Sequence, residues 1–326
     1  MGYNSLKGVH VVLPTGFVAR MKSPAQLVVF VILAAIIFLM ILAVFSQSRS
    51  YLIEANTGAA SIIFGDGANE WSLPDSVMCV SAEVPTIADK GENKPCNVMQ
   101  RKQGDRREII VDWESNTEVR LTVHSVDGLR IETISSEQKF PPQGSVIIVP
   151  KDAWTTAGAL TFRAIVTLGD DMRTGVQQYL KGGRWEARDA GLATGLLRKT
   201  TEVVKSGELS TGAKVRVLVY DQPARTVRAA QTYGHLLPTA AYDSMSITLV
   251  SELGDTFLSV RHFGVAEAVT LKPDWIDIAI SSSLFLTATI MLTILGAAVQ
   301  IASQLGSKRG TQEVGQRSEN TDNRKD

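Results

Sequence analysis

Two long stretches without a charged side chain limit what this chain can fold into more than any other feature. Leu27 to Phe45 reads LVVFVILAAIIFLMILAVF, nineteen apolar residues in succession. Ile278 to Ser307 adds thirty uncharged residues, IAISSSLFLTATIMLTILGAAVQIASQLGS, with Trp275 just ahead of them. A helix rises about 1.5 Å per residue, so either run covers most of a hydrocarbon layer of ~30 Å. Helices buried in a protein core seldom hold more than about 14 apolar residues in a row. The expectation is a two-pass membrane protein, with transmembrane helix 1 over 27–46, transmembrane helix 2 over 275–306 and Trp275 as an interfacial anchor. The first run exceeds the apolar core of a cleaved signal, typically about 7 to 15 residues, and no small-residue cleavage site follows Phe45, so it reads as an uncleaved signal anchor.

Basic residues near the ends of the runs set the expected orientation. Lys7, Arg20 and Lys22 precede the first run with no acid among them, and Lys308 and Arg309 open the segment after the second. By the positive-inside bias these five determine the topology, with an N-terminal segment (1–26) and a disordered tail (307–326) both cytoplasmic. The region 47–274 is then extracytoplasmic. The chain carries 33 basic and 33 acidic side chains, and the central region is close to neutral, so nucleic acid is not an expected partner.

Both cysteines, Cys79 and Cys96, fall in that central region. A pair in an oxidising compartment reads as a disulfide, and closing a loop of this size contributes on the order of 3 kcal/mol. No N-x-[ST] acceptor occurs between Gln47 and Asp274, which leans toward a bacterial periplasm and an inner-membrane location.

Between the runs the hydrophobic period changes from helical to alternating. Strands are expected at 107–113, 118–126, 129–134, 145–150, 159–168, 214–220, 246–252 and 257–263, separated by Gly, Pro, Asn and Asp turns such as Asp127-Gly128 and Pro141-Pro142-Gln143-Gly144. In EVRLTVHSV, Val119, Leu121 and Val123 alternate with Arg120, Thr122 and His124, the pattern of a sheet wet on one side. The expected fold class is a mainly-β sandwich or open barrel with one or two short helices, flanked by the two spans. One helix is expected after Asp170-Asp171, with Met172, Val176, Tyr179 and Leu180 on one face and Gly182-Gly183 ending it. A second is expected from Asp189 to about Val204, so that residues near 165–205 divide two subdomains.

Chemistry is searched for and mostly not found. The chain has no G-x-S-x-G, H-E-x-x-H, G-x-x-x-x-G-K-[ST], G-x-G-x-x-G or C-x-x-C, so no catalytic residue, cofactor or metal is assigned. Ser136 to Lys139 matches S-x-x-K, but the S-D-N and K-T-G partners of that motif are missing. His124, His235 and His262 are isolated from one another in sequence. Asp66, Asn69 and Glu70 crowd one turn without the spacing of a calcium loop, which favours a solvated turn. Arg101, Lys102, Arg106 and Arg107 make a basic cluster that reads as an exposed loop, or as a contact for anionic headgroups or a partner.

The second run has one organised feature. Ser282, Thr289, Gly296 and Ser303 recur every seven residues, with Thr293 and Gln300 between them, so small and polar groups share a helix face. Such a stripe suits helix–helix packing in a bilayer, against another membrane protein or a second copy; alternatively the hydroxyls bond their own i−4 carbonyls, or the face lines water. The expected function is a non-enzymatic inner-membrane subunit that presents a periplasmic β-rich domain for scaffolding, sensing or coupling within a complex. An oligomeric two-transmembrane channel or pore-forming effector is the second reading, and a periplasmic enzyme with an unrecognised site the third.

Overall fold

The computed structural model describes residues 48–82, 95–97, 99–124, 126–170, 178–189, 202–221, 224–241 and 243–281, with 286–287, 289–294, 296–298 and 300–301 beyond them. Ser46–Ser282 forms one compact unit. Its described residues hold seventeen strands, every pair antiparallel. The strands are β1 (Arg49–Thr57), β2 (Ala59–Phe64), β3 (Glu70–Ser81), β4 (Gln100–Lys102), β5 (Arg107–Asp112), β6 (Glu118–His124), β7 (Gly128–Ser135), β8 (Val146–Val149), β9 (Leu160–Leu168), β10 (Leu180–Asp189), β11 (Glu202–Leu209), β12 (Lys214–Asp221), β13 (Thr226–Ala229), β14 (Thr232–Pro238), β15 (Met245–Ser251), β16 (Thr256–Arg261) and β17 (Val269–Leu271). Two short helices accompany them, α1 (Lys151–Ala157) and α2 (Trp275–Ser281).

Hydrogen-bonded neighbours run β11-β10-β1-β15-β14-β9-β2-β6-β7-β8-β3, with β4 and β5 in tandem on the far edge of β3. A second branch, β17-β16-β12-β13, meets the end of β9 through Val215 and Arg216. Strand β9 is the junction: Ala164 faces Thr232 of β14 on one edge and Phe64 of β2 on the other. Buried side chains from both ends of this order join one continuous cluster, from Ile109 and Val111 on β5 to Trp185 and Ala187 on β10. The densest part is aromatic. Phe64 lies 5.2 Å from Trp113 and 5.4 Å from Trp71, in stacked and edge-on arrangements. Offset and edge-on pairs of this kind add about 0.5–1.5 kcal/mol each beyond their buried area.

All eight strands expected from alternation are present, and their boundaries agree to within two residues. The bend in β3 has a local cause: Pro74 cannot donate to a ladder and Asp75 takes φ 46°, so the register with β5 slips between Leu73 and Ser76. Beyond that bulge β3 pairs with β4 instead. Gly128 opens β7 at φ 92°, and a Cβ there would lie 2.3 Å from the carbonyl oxygen of Val149.

The two-pass architecture is not supported and is corrected here. Among the described residues no helix is long and apolar enough to cross a membrane. The run 27–45 lies outside them. Of the second run, the opening residues belong to the β unit: Ile278 on α2 is buried at 7% exposure, and Asp277 pairs with Lys205 of β11 at 2.7 Å. At Ile278 the apolar side chain is buried in protein, whereas Ile280, two residues on, is 75% exposed. Asp274 caps α2 reciprocally, its carboxylate accepting the Asp277 amide at 2.9 Å while Asp277 accepts the Asp274 amide at 3.0 Å.

Most of the two expected helices, residues 171–177 and 190–201, lies outside the described residues; where their ends are described they are strand, with Leu180, Gly182, Gly183 and Asp189 inside β10 and Glu202 to Val204 opening β11. The two glycines lie within a strand: Gly182 takes φ 156°, and Gly183 allows close strand approach, since a Cβ on it would sit 2.5 Å from the Glu54 carbonyl oxygen and 2.8 Å from the Ala55 Cα.

Candidate binding face

Direct cross-strand partners share a face, so the register lays out the outer surface of β10-β1-β15-β14-β9 as a grid. Its first row is Glu186, Leu52, Val250, Tyr233 and Arg163. The second is Arg184, Glu54, Thr248, His235 and Thr161, and the third holds Asn56, Ser246 and Leu237. The alternate residues point inward and are buried, as with Tyr51 and Ile53 on β1 or Phe162 and Ala164 on β9. Tyr233 is 50% and Val250 41% exposed, next to half-buried Leu52. Gly234 is required behind Tyr233, because a Cβ there would lie 2.6 Å from the Thr248 carbonyl oxygen and 2.9 Å from the Phe162 ring.

Arg163 is held from four directions. Its backbone amide donates to Asn69 Oδ1 at 2.8 Å, and Nη1 donates to the Asp66 carbonyl at 3.0 Å. Nη2 donates to Glu252 Oε1 at 2.5 Å, and the guanidinium lies over Tyr233, 5.2 Å from the ring centre. The hydrogen bond to Glu252 holds the guanidinium protonated beyond its ordinary range. Asn69 is fully buried and uses its other side-chain atom to donate to the Gly65 carbonyl at 2.9 Å. In that crowded turn Asn69 and the Asp66 carbonyl therefore anchor β9, while Glu70 pairs with Asp112 of β5.

Neighbouring charges on the face are also paired: Arg184 with Glu54 at 2.8 Å and Arg188 with Glu186 at 2.9 Å. Exposed pairs like these are worth about 0–1 kcal/mol each, so their effect on the face is neutralisation more than stability. A rigid aromatic and an oriented guanidinium beside apolar side chains are the residue types that anchor protein interfaces. The face can bind by shape and apolar contact.

The other residues singled out from sequence fall as follows. Cys79 and Cys96 form a disulfide with Cα atoms 5.6 Å apart, joining β3 to the segment before β4. Thr293 donates to the carbonyls of Thr289 at 3.0 Å and Ile290 at 2.7 Å, so its hydroxyl bonds within its own helix. Thr289, Gly296 and Gln300 are exposed on helical backbone, whereas Ser282, Ser303 and the topology residues Lys7, Arg20, Lys22, Lys308 and Arg309 lie outside the described residues. Trp275 is the first residue of α2. His124 ends β6, His235 sits on β14 and His262 follows β16, so the fold does not bring the three together. Ser136 Oγ accepts the Gln138 amide at 3.1 Å, which makes the S-x-x-K match a turn. The basic cluster lies along the outer edge of β3: β4 and β5 flank a bulge at 103–106, with Lys102 paired to Asp105 and Arg106 to Asp75. Charge and a bulge on an edge strand oppose unwanted strand addition.

Sequence reading missed Arg163 and Tyr233. Thr161-Phe162-Arg163 was legible as alternation on β9, but β14 was not, since Gly234 and Pro238 interrupt the pattern of Tyr233, His235 and Leu237. No protein-family model, curated protein or solved structure matches this chain.

Proposed function

We propose that this chain is a non-enzymatic subunit that presents a β-sandwich-type domain in the bacterial periplasm, at the inner membrane, and docks a protein component there. The observation that carries the reading is the outer face of β10-β1-β15-β14-β9, with Leu52, Val250 and Tyr233 at one level and its charges internally paired. Support for the compartment comes from the Cys79–Cys96 disulfide, since such bonds persist in oxidising surroundings. The charge-free run 27–45, preceded by Lys7, Arg20 and Lys22, supports a place at the membrane.

The test is site-specific photo-crosslinking of the full chain in cells. A photoreactive residue at Tyr233 should give a discrete adduct that is lost when Val250 is also changed to Arg. The same residue at Arg120, which points outward on β6, should not. Equal labelling at both positions, or none at either, overturns the reading.

A further inference from the structure

We infer that the occupant of this face is a second copy of the chain, packed sheet against sheet. The inference rests on the docking reading above and names its partner. Three features of the face favour a copy of itself. First, its charges are already matched: Arg163 bonds Glu252 and Arg184 bonds Glu54, so two such faces meet without repulsion and neither needs an oppositely charged partner. Second, beside uncharged polar groups such as Thr248 and Ser246 the face exposes apolar and aromatic side chains, with Tyr233 and Val250 at 50% and 41%. Such groups are covered equally well by their own kind.

Third, the footprint is the right size. Five strands at ~4.8 Å spacing span about 24 Å, and the three outward rows run about 20 Å along them. That is on the order of 500 Å² in projection, and side-chain relief raises the accessible area towards the ~800 Å² that each side of a standard interface buries. A two-fold dimer of packed faces has its axis in the plane between them. Thr248, on the central strand and the central row, then meets its own counterpart whichever way that axis points.

This position makes the test simple, because the two native cysteines are joined to each other and an added thiol has no rival. Packed sheets stand about 10 Å apart, which suits a short bis-maleimide better than a direct disulfide. Full-length Thr248→Cys, treated in native membranes, should form a covalent dimer of twice the chain mass. Arg120→Cys, outward on β6 and two strands beyond β9, outside the five-strand face, should not. Adding Val250→Arg to Thr248→Cys should weaken dimerisation about 100-fold. Its own thermal melt within a few degrees of the parent's would show that folding is intact. A covalent adduct to a different protein overturns the self-pairing inference and leaves the docking reading standing. Absence of any adduct above the Arg120→Cys background overturns the self-pairing inference, and the docking reading falls with it only if photo-crosslinking at Tyr233 also gives none.

Discussion

Asn69→Ala removes the bolt that fixes Arg163. The Asn69 side chain is fully buried and makes two hydrogen bonds, accepting the Arg163 amide at 2.8 Å and donating to the Gly65 carbonyl at 2.9 Å. Truncation leaves one backbone donor and one backbone acceptor without their partner. Each orphaned buried group costs about 1–3 kcal/mol, so a loss of ~3 kcal/mol in unfolding free energy is expected. At a urea m-value near ~3 kcal/mol/M, for a unit of this size, the midpoint drops by about 1 M. Tryptophan fluorescence is a suitable probe, since Trp71 and Trp113 lie against Phe64, one residue from Gly65. Asn69→Asp separates the two bonds: it keeps the acceptor but sets a carboxylate oxygen against the Gly65 carbonyl. Burial and that contact raise the new carboxyl's pKa, so the variant should be as unstable as Ala near pH 7 and recover as pH falls and the group can donate. An Ala variant within ~0.5 kcal/mol of the parent would refute the reasoning, because the buried amide would then be satisfied without Asn69.

Other perturbations test other parts of the fold. Burial pushes the Tyr51 hydroxyl well above the ordinary tyrosine range, Arg49 pulls it partly back, and Asp255 adds to the rise. A raised folded value means that stability is full below about pH 10 and is lost above it, as the unfolded tyrosine ionises first. Tyr51→Phe should flatten that alkaline slope while costing about 1 kcal/mol at neutral pH, for the bond to the Leu271 carbonyl at 2.9 Å; an unchanged slope in alkaline urea titrations counts against the assignment. Gly183→Ala should force β1 and β10 apart and lose more than ~2 kcal/mol, against about 1 for Gly104→Ala, which meets open space at φ 75°. Equal melting points for the two glycine variants would show that β1 and β10 yield easily. Replacing both Cys79 and Cys96 by Ser should cost about 3 kcal/mol by denaturant titration, the entropy of the closed loop.

Particular residues show what was legible in the sequence. Strands with strict alternation and an apolar inner row, such as Val119, Leu121 and Val123, could be read from the sequence because one wet and one dry face leave a period of two. Strand β10 could not, since its sequence LKGGRWEARD has two early glycines, one of them, Gly183, at a position where a side chain would strike β1 and the other, Gly182, at φ 156°. Local propensity reads such a pair as a helix end, while the requirement that sets it there comes from residues more than a hundred positions away. Strand β1 was hidden for a related reason: its inner residues Tyr51, Ile53 and Ala55 follow closely on a long apolar run, which masks the change of period.

The long runs show the same limit from the other side. Counting uncharged residues cannot tell Ile278, buried beside β11 in the β unit, from a residue facing lipid, because both surroundings reject charge equally. Asp274 and Asp277 just ahead of it carried the missing information. Two acids three residues apart cap a helix start, and here one of them also pairs with Lys205. That helix start is docked on a protein surface. The binding face follows the same logic, since nothing in the local sequence of Tyr233 or Arg163 marks either residue. They become neighbours through the pairing of β9 with β14, at a separation of seventy residues, and only the register brings aromatic, guanidinium and apolar groups to one level. The chemistry of this face is therefore a property of the topology, and it should respond to changes in register at β14 as strongly as to changes in the exposed side chains themselves.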